Sequence, residues 1–445
     1  MSLRQIAVGA VCSLMLIAGG VAAKDLALPN RAGRVVTVNG ELAPTELGFT
    51  LVHEHLFVDM NFPALHLPQP SGKLAPIERR LREVAGSQSW VNPQTATELA
   101  FFRRLDISID MIDDIRRGLP VRANNTVASM QMVLPEVRHF QLRGGRTIVD
   151  VTPIDLGRDP LELRNLSAAT GMHVVMGTGW YRWPWRSPET SGKSIEELAA
   201  TMIRDIVTGV ADTGIRAGII GEIPIDYRSL RLTRPLTESY SSEELARERA
   251  QAQERDLRGE YHPEELRVLR AAARASVATG APLSLHYKTS ALPPHAHVLT
   301  LLQEEGVDLS HVVLGHSDDK YAHFEHYRPL FETGAFLAAD RLGANALGAY
   351  ESLSVRSVAH ENHAVALGIV AAIQAGFISQ ILLSHDVCTR TSLSAYGGSG
   401  YTYLHDYFIP HLRGLGVTDR QIEMIMVDNP RRLLTFRVPR QQVRH

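Results

Sequence analysis

The chain has 445 residues, 44% hydrophobic and 21% charged, an ordinary globular composition with ample material for a large core. Its formal net charge is -2, with no long run of one sign, which argues against a nucleic-acid-binding protein or a partner of acidic surfaces. Two cysteines, Cys12 and Cys388, are too few for a disulfide-stapled scaffold.

In chain order, the first feature is an export signal over residues 1–23. Arg4 supplies the positive start, residues 6–17 are mostly apolar, and Val21-Ala22-Ala23 offers small residues before cleavage ahead of Lys24. The apolar stretch is short for a bilayer span, so an uncleaved anchor is the competing reading, and the mature form is expected to have no membrane span. The destination implied is the periplasm or the exterior. Cys12 leaves with the signal, so Cys388 is left without an intrachain partner.

Residues 24–48 carry alternating apolar residues around Asn39-Gly40, which predicts an N-terminal β-hairpin. From 49 to 436, eight short apolar runs alternate with helical patterns: 50–56, 146–152, 173–178, 217–223, 282–287, 311–316, 335–339 and 380–386. Near-continuous apolar runs suit parallel strands buried on both faces. Ser194 to Glu197 and Thr418 to Gln421 form capping boxes, Pro263 suits a first helical turn and Gly280 a helix stop. This alternation predicts an α/β fold, a (β/α)8 TIM barrel, with residues 437–445 as a tail. Two stretches, 57–130 and 224–262, exceed an ordinary loop and follow strand ends, so both are expected over the barrel mouth. Each is either a lid or pocket wall, or a surface insertion available for contacts between subunits.

Polar residues punctuate these runs at one end. His53 and His55 alternate within "TLVHEHLF", which on a strand puts both imidazoles on one face, an arrangement suited to zinc. Glu54 then points toward the helix layer. Glu222, His286, His316 and Asp386 each end a later run, at the strand ends where barrel active sites are built. By contrast, His295 with His297, and His323 with His326, lie in polar surroundings and read as solvent-facing. Four histidines and two carboxylates exceed what one open metal site needs. Two divalent metals sharing a carboxylate and a water would use them all, and sharing brings the water's pKa near neutral.

The constellation resembles the phosphotriesterase family of the amidohydrolase superfamily. "TLVHEHLF", "RTIVDVTPIDLGRD", "GTGWY", "EEGVDLSHVVLGHSDD", "LLSHD" and "DNPRRLLTF" stand in family order across nearly the whole mature chain. The resemblance implies that His53, His55 and Asp386 hold one metal and His286 and His316 the other. The family's bridging ligand is a carboxylated lysine or a glutamate. No lysine stands between Lys193 and Lys288, so "AGIIGEIP" matches the glutamate variant, with Glu222 as bridge. The alternative is that Gly221 occupies the bridging position and Glu222 faces outward, because a one-residue slip reverses the facing of a strand.

The implied chemistry is hydrolysis by a metal-bridging hydroxide, with Asp386 accepting its proton. No G-x-S-x-G elbow supports a serine hydrolase. Trp180, Tyr181, Trp183 and Trp185 cluster after the third run, either as an apolar pocket wall or as a packed corner. Arg341 follows the seventh run, as in family members acting on lactones, and is expected to pair with Asp319 or to make a surface ion pair. Arg390 can hold a substrate carboxylate or phosphate, and Cys388 reads as an inert buried thiol. Carboxylic esters or lactones are the favoured substrates. Phosphotriesters, amides and a non-catalytic metal- or ligand-binding barrel stay open. The metals suit zinc, with manganese, cobalt or iron as alternatives. A small-molecule substrate and a homodimer are the partners the resemblance implies.

Overall fold

A computed structural model describes residues 28–61, 105–116, 121–182, 192–226, 260–288, 294–343 and 357–440, with Thr190 and a few positions between 247 and 255. The expected export signal, most of both expected insertions, Trp183, Trp185 and residues 441–445 lie outside the described residues.

The hairpin is formed by β1, Val35–Thr37, and β2, Gly40–Leu42, with Thr37 opposite Gly40. Its turn residues are therefore Val38 and Asn39, one position earlier than the Asn-Gly signal suggests. Gly40, at φ +121°, opens the return strand instead of sitting in the turn. Thr37 closes the turn by donating its hydroxyl to the Gly40 carbonyl at 2.9 Å. The Val38 N–H docks the hairpin on the barrel by donating to the Val174 carbonyl at 3.0 Å.

Next come β3, Phe49–Glu54, and a short antiparallel pair at the base of the first insertion, β4, Val58–Asp59, and β5, Thr126–Val127. The barrel continues with β6, Gly145–Asp150, β7, His173–Thr178, β8, Ile219–Asp226, and β9, Leu283–Lys288. It ends with β10, Val312–Leu314, β11, Phe336–Ala339, and β12, Ile381–Leu383. The eight strands pair in parallel in the order β12-β11-β10-β9-β8-β7-β6-β3. Hydrogen bonds outside the ladder join the two ends. The His53 N–H donates to Ser384 Oγ at 3.0 Å, and the Asp386 N–H to the His53 carbonyl at 3.2 Å. The eight runs read from the sequence all become barrel strands, each followed by helical structure. Ser194 and Thr418 form the expected capping boxes, Pro263 opens a 17-residue helix, and Gly280 ends it at φ +75°.

Strand alternation divides the core in two. Val52, Val149, Val151, Val175, Ile219, Val313, Ala338 and Leu382 fill the barrel interior, and Val35, Leu42, Leu47, Leu433 and Leu434 join them in one apolar cluster. Leu51, Ile148, Val174, Ile220, Leu285, Leu314 and Leu383 belong to the larger cluster shared with the helices. Burying each such Val, Leu or Ile side chain contributes about 1.5–3 kcal/mol. Among the described residues, no helix is long and apolar enough to cross a membrane.

Candidate metal centre

Two breaks in strand regularity set the site. The pairing of β3 with β6 shifts register between Leu51 and Glu54, and that of β8 with β9 between Ile220 and Ile223. On β8 the consequence decides the facing of Glu222. Ile219 faces the barrel interior, so strict alternation would turn Gly221 inward and Glu222 outward. The shift at Gly221, which has φ +135°, reverses that order. A Cβ on Gly221 would run into the Ser284 carbonyl, so only glycine fits there.

All six expected ligands converge. Glu222 Oε2 lies 2.9 Å from His286 Nδ1 and 3.5 Å from the Nε2 atoms of both His53 and His316. Glu222 Oε1 lies 3.5 Å from His55 Nε2. One carboxylate thus faces all four histidines, with both of its oxygens engaged. Asp386 Oδ1 approaches His55 Nε2 at 3.3 Å and His53 Nε2 at 3.8 Å. Two triads that can each hold a cation share Glu222: His53 with His55, and His286 with His316. His316 and Asp386 stand just beyond β10 and β12 and take left-handed backbone conformations, φ +53° and +57°. Such conformations cost free energy in non-glycine residues and cluster at functional sites.

The nitrogens facing away from Glu222 also meet oxygen groups. Asp340 meets His316 Nδ1 in a 2.9 Å hydrogen bond and accepts the His316 N–H as well, and its carboxylate stands 3.1 Å from His53 Nδ1 without hydrogen-bond geometry. Thr152 Oγ1 meets His55 Nδ1 at 3.0 Å, and Asp226 Oδ2 faces His286 Nε2 at 3.5 Å. Gly315 leaves the room this requires, since a Cβ there would stand 3.1 Å from the Asp340 carboxylate. Asp340, Thr152 and Asp226 escaped the sequence reading. "FLAAD" carried the same strand-end signal as the other ligands, whereas Thr152 and Asp226 carried none beyond proximity. Glu54 turns away from the cage as expected. It accepts Ser384 Oγ, the His385 and Val387 N–H groups and His385 Nδ1 at 2.8–3.0 Å, fixing the segment that presents Asp386.

The electrostatics call for cations. Burial pushes the His53 pKa down, but Asp340, Glu222 and Asp386 outweigh it and raise it to about 10. The same contest raises His55 and His316. Burial raises the carboxyl pKa of Glu222 and of Asp386, yet the surrounding histidines hold both below the usual carboxylate range. Groups that bind protons this firmly offer the same lone pairs and negative charge to a divalent ion. His53 Nε2 is buried with no hydrogen-bond partner among the described residues, an orphan that a metal would satisfy. The donor set therefore fits a metal pair.

The remaining residues divide. Tyr181 lines the cavity with Met60, Leu156, Cys388 and the expected ligands other than His53, and its hydroxyl lies 3.4 Å from His286 Nδ1. Trp180 is buried in the core and is not among the cavity's lining residues. Arg341 pairs with Asp318 at 3.3 Å, not with Asp319 as the sequence suggested. Asp318 is the buried member of that aspartate pair, while the Asp319 side chain is 48% exposed and meets Lys320. Arg390 spends its donors on the Thr126 carbonyl at 2.7 Å and on Asp106 at 3.3 Å, at the base of the first insertion. Cys388 is buried and forms no disulfide. His297, His323 and His326 are exposed, as expected.

The phosphotriesterase family model matches residues 33–256 and 257–434. N-acetyltaurine hydrolase of Danio rerio is 28% identical over 91% of this chain and 99% of its own length. A resiniferatoxin-binding protein from Rhodobacter sphaeroides is 31% identical, with a TM-score of 0.67 over 91% of this chain and 95% of that one. A lactonase from Listeria monocytogenes, 20% identical, shares the fold with a TM-score of 0.62 over 91% of this chain and 99% of that one. The family model covers nearly the whole barrel, and the conclusion follows: the chain belongs to the phosphotriesterase family.

Proposed function

We propose that the chain is a binuclear metal-dependent hydrolase acting at a carboxyl carbon, on amides, esters or lactones of small acids. The observation that carries the reading is the single carboxylate of Glu222 between two histidine pairs. Cations held by His53, His55 and Asp386 on one side, and by His286 and His316 on the other, would polarise the scissile carbonyl and bring a water's pKa near neutral. The nitrogen and oxygen donors suit zinc, with manganese, cobalt or iron as alternatives.

The chain's own groups complete the reaction. Asp386 is the ligand most open to the cavity, its side chain 14% exposed against 5% or less for the other five. It takes the proton of the attacking water and passes it to the leaving group. Tyr181 stands where its hydroxyl can donate to the oxygen that gains charge at the tetrahedral centre. Met60, Leu156 and Cys388 line the same pocket beside the cage and offer apolar surface to a short acyl group. Arg341, held by Asp318, is 29% exposed and available to an anionic or oxygen-rich leaving part.

The amide reading draws on the full-length N-acetyltaurine hydrolases, and the ester and lactone reading on Arg341. A binding barrel without turnover draws on the name of the Rhodobacter sphaeroides neighbour, but the complete ligand set with its proton acceptor favours catalysis. The test is a panel of N-acyl amines, lactones, carboxylic esters and a phosphotriester, assayed before chelation, after it, and after metal restoration. Carboxyl substrates turned over, lost and regained in step with metal support the proposal. No turnover on any of them, at full metal loading, contradicts it.

A further inference from the structure

His286 is held unlike its three companions. It turns Nδ1 toward Glu222, whereas His53, His55 and His316 turn Nε2. Its ring lies between two carboxylates of one strand, Glu222 at 2.9 Å from Nδ1 and Asp226 at 3.5 Å from Nε2, both on β8. Asp226 is fully buried and is met by Arg182 Nε at 3.2 Å, itself only 1% exposed. The Asp226 N–H also donates to the buried Glu265 carboxylate at 3.2 Å. Arg182 directly follows Tyr181 in the chain, and its guanidinium carbon lies 5.9 Å from the centre of the Tyr181 ring. Burying a charged arginine and aspartate is costly unless each satisfies the other, and the hydrolytic steps above use neither.

We propose that Arg182 and Asp226 are positioning residues for the cation held by His286 and His316, and that they tie that position to the cavity wall at Tyr181. The inference rests on the binuclear reading. Asp226 stands 3.5 Å from the distal nitrogen of His286, a contact without hydrogen-bond geometry that still places negative charge beside Nε2 and favours the tautomer with its proton there, leaving the Nδ1 lone pair for the metal. Arg182 pairs with Asp226 and fixes it in place. His53 and His55 have other partners, Asp340 and Thr152, so the position on their side of Glu222 does not depend on the pair.

The test uses the full chain, freed of metal by a chelator and titrated with zinc or cobalt against a chromogenic competitor. Wild type should take up two equivalents per chain. In Arg182→Met and in the near-isosteric Asp226→Asn, one equivalent should lose about 10–100-fold in affinity and the other should hold within about twofold. Arg182→Lys, which keeps the charge, should recover most of the loss. If Arg182→Met does not fold, Asp226→Asn with its own thermal unfolding curve carries the comparison. Two unchanged binding events in folded variants overturn the inference. So do equal losses at both positions that Arg182→Lys fails to repair, because that pattern marks a general packing role. A wild-type chain that binds only one equivalent overturns the binuclear reading itself before any variant is compared.

Discussion

His311 and His316 flank one short strand, β10, and both are buried, yet their surroundings push them in opposite directions. At the start of the strand, His311 gives Nε2 to the Thr435 carbonyl at 3.1 Å, and burial, with Arg437 nearby, lowers its pKa to about 4. Just past its end, burial opposes the charged form of His316 as well, but Asp340, Glu222 and Asp386 prevail and raise it. The two ends of the barrel are thus different materials. One is an apolar plug that Leu433 and Leu434 share with the interior valines. The other is a cage of carboxylates and imidazoles whose donors fit cations. In a barrel of this kind the first end carries stability and the second carries chemistry.

Breaking the cage should leave the plug intact. Glu222→Gln removes the one carboxylate that, among the described residues, faces all four histidines, so we expect both metals lost and kcat/KM reduced by about 10⁴-fold or more, with an unfolding midpoint close to that of the metal-free wild type. Metal analysis, kinetics and denaturation on one preparation check the three together. The converse is Leu433→Ala, a fully buried plug residue. It should cost about 2–5 kcal/mol of stability and leave kcat per folded, metal-loaded chain unchanged.

The histidines sharpen the contrast through pH. The His311 pKa is about 4 folded, against an ordinary 6.5 unfolded. Between those values the unfolded chain holds the extra proton, so stability is full above about 6.5 and falls as pH drops through 4. The loss from this group amounts to about 3 kcal/mol over the window. Urea midpoints of wild type and His311→Phe, compared from pH 7 to 4, should converge as the acid limit is approached. A constant gap would refute the assignment. The smallest effect separates the orienting groups from one another. Asp340→Asn disturbs two histidines on opposite sides of Glu222 and should weaken both metals about 10–100-fold, whereas Thr152→Val should touch only the His55 side and by less. Competitive metal titration distinguishes the two.

Much of the cage was legible because barrel ligands fall where apolar runs end, a rule that picked out Glu222, His286, His316 and Asp386, while alternation within the first run picked out His53 and His55. Facing was harder. Alternation counted from Ile219 sends Glu222 outward, and only a register shift, invisible in a string of letters, brings it in. Asp340 was passed over for its neighbour Arg341, although the strand-end rule applied equally to it. Which of Asp318 and Asp319 meets Arg341 depends on how their short helix sits against the barrel, and adjacent identical residues carry no signal for that. Asp226 and Arg182 became visible only once the β8–β9 register and the path of the chain after β7 were known.

The central claim is that Glu222 bridges two cations, and anomalous diffraction from crystals of the metal-loaded protein tests it most directly. The account predicts two peaks about 3.5–4 Å apart, one beside His53, His55 and Asp386 and the other beside His286 and His316, with Glu222 between them. A single peak at full loading, or two peaks with the Glu222 carboxylate in contact with neither, would contradict it.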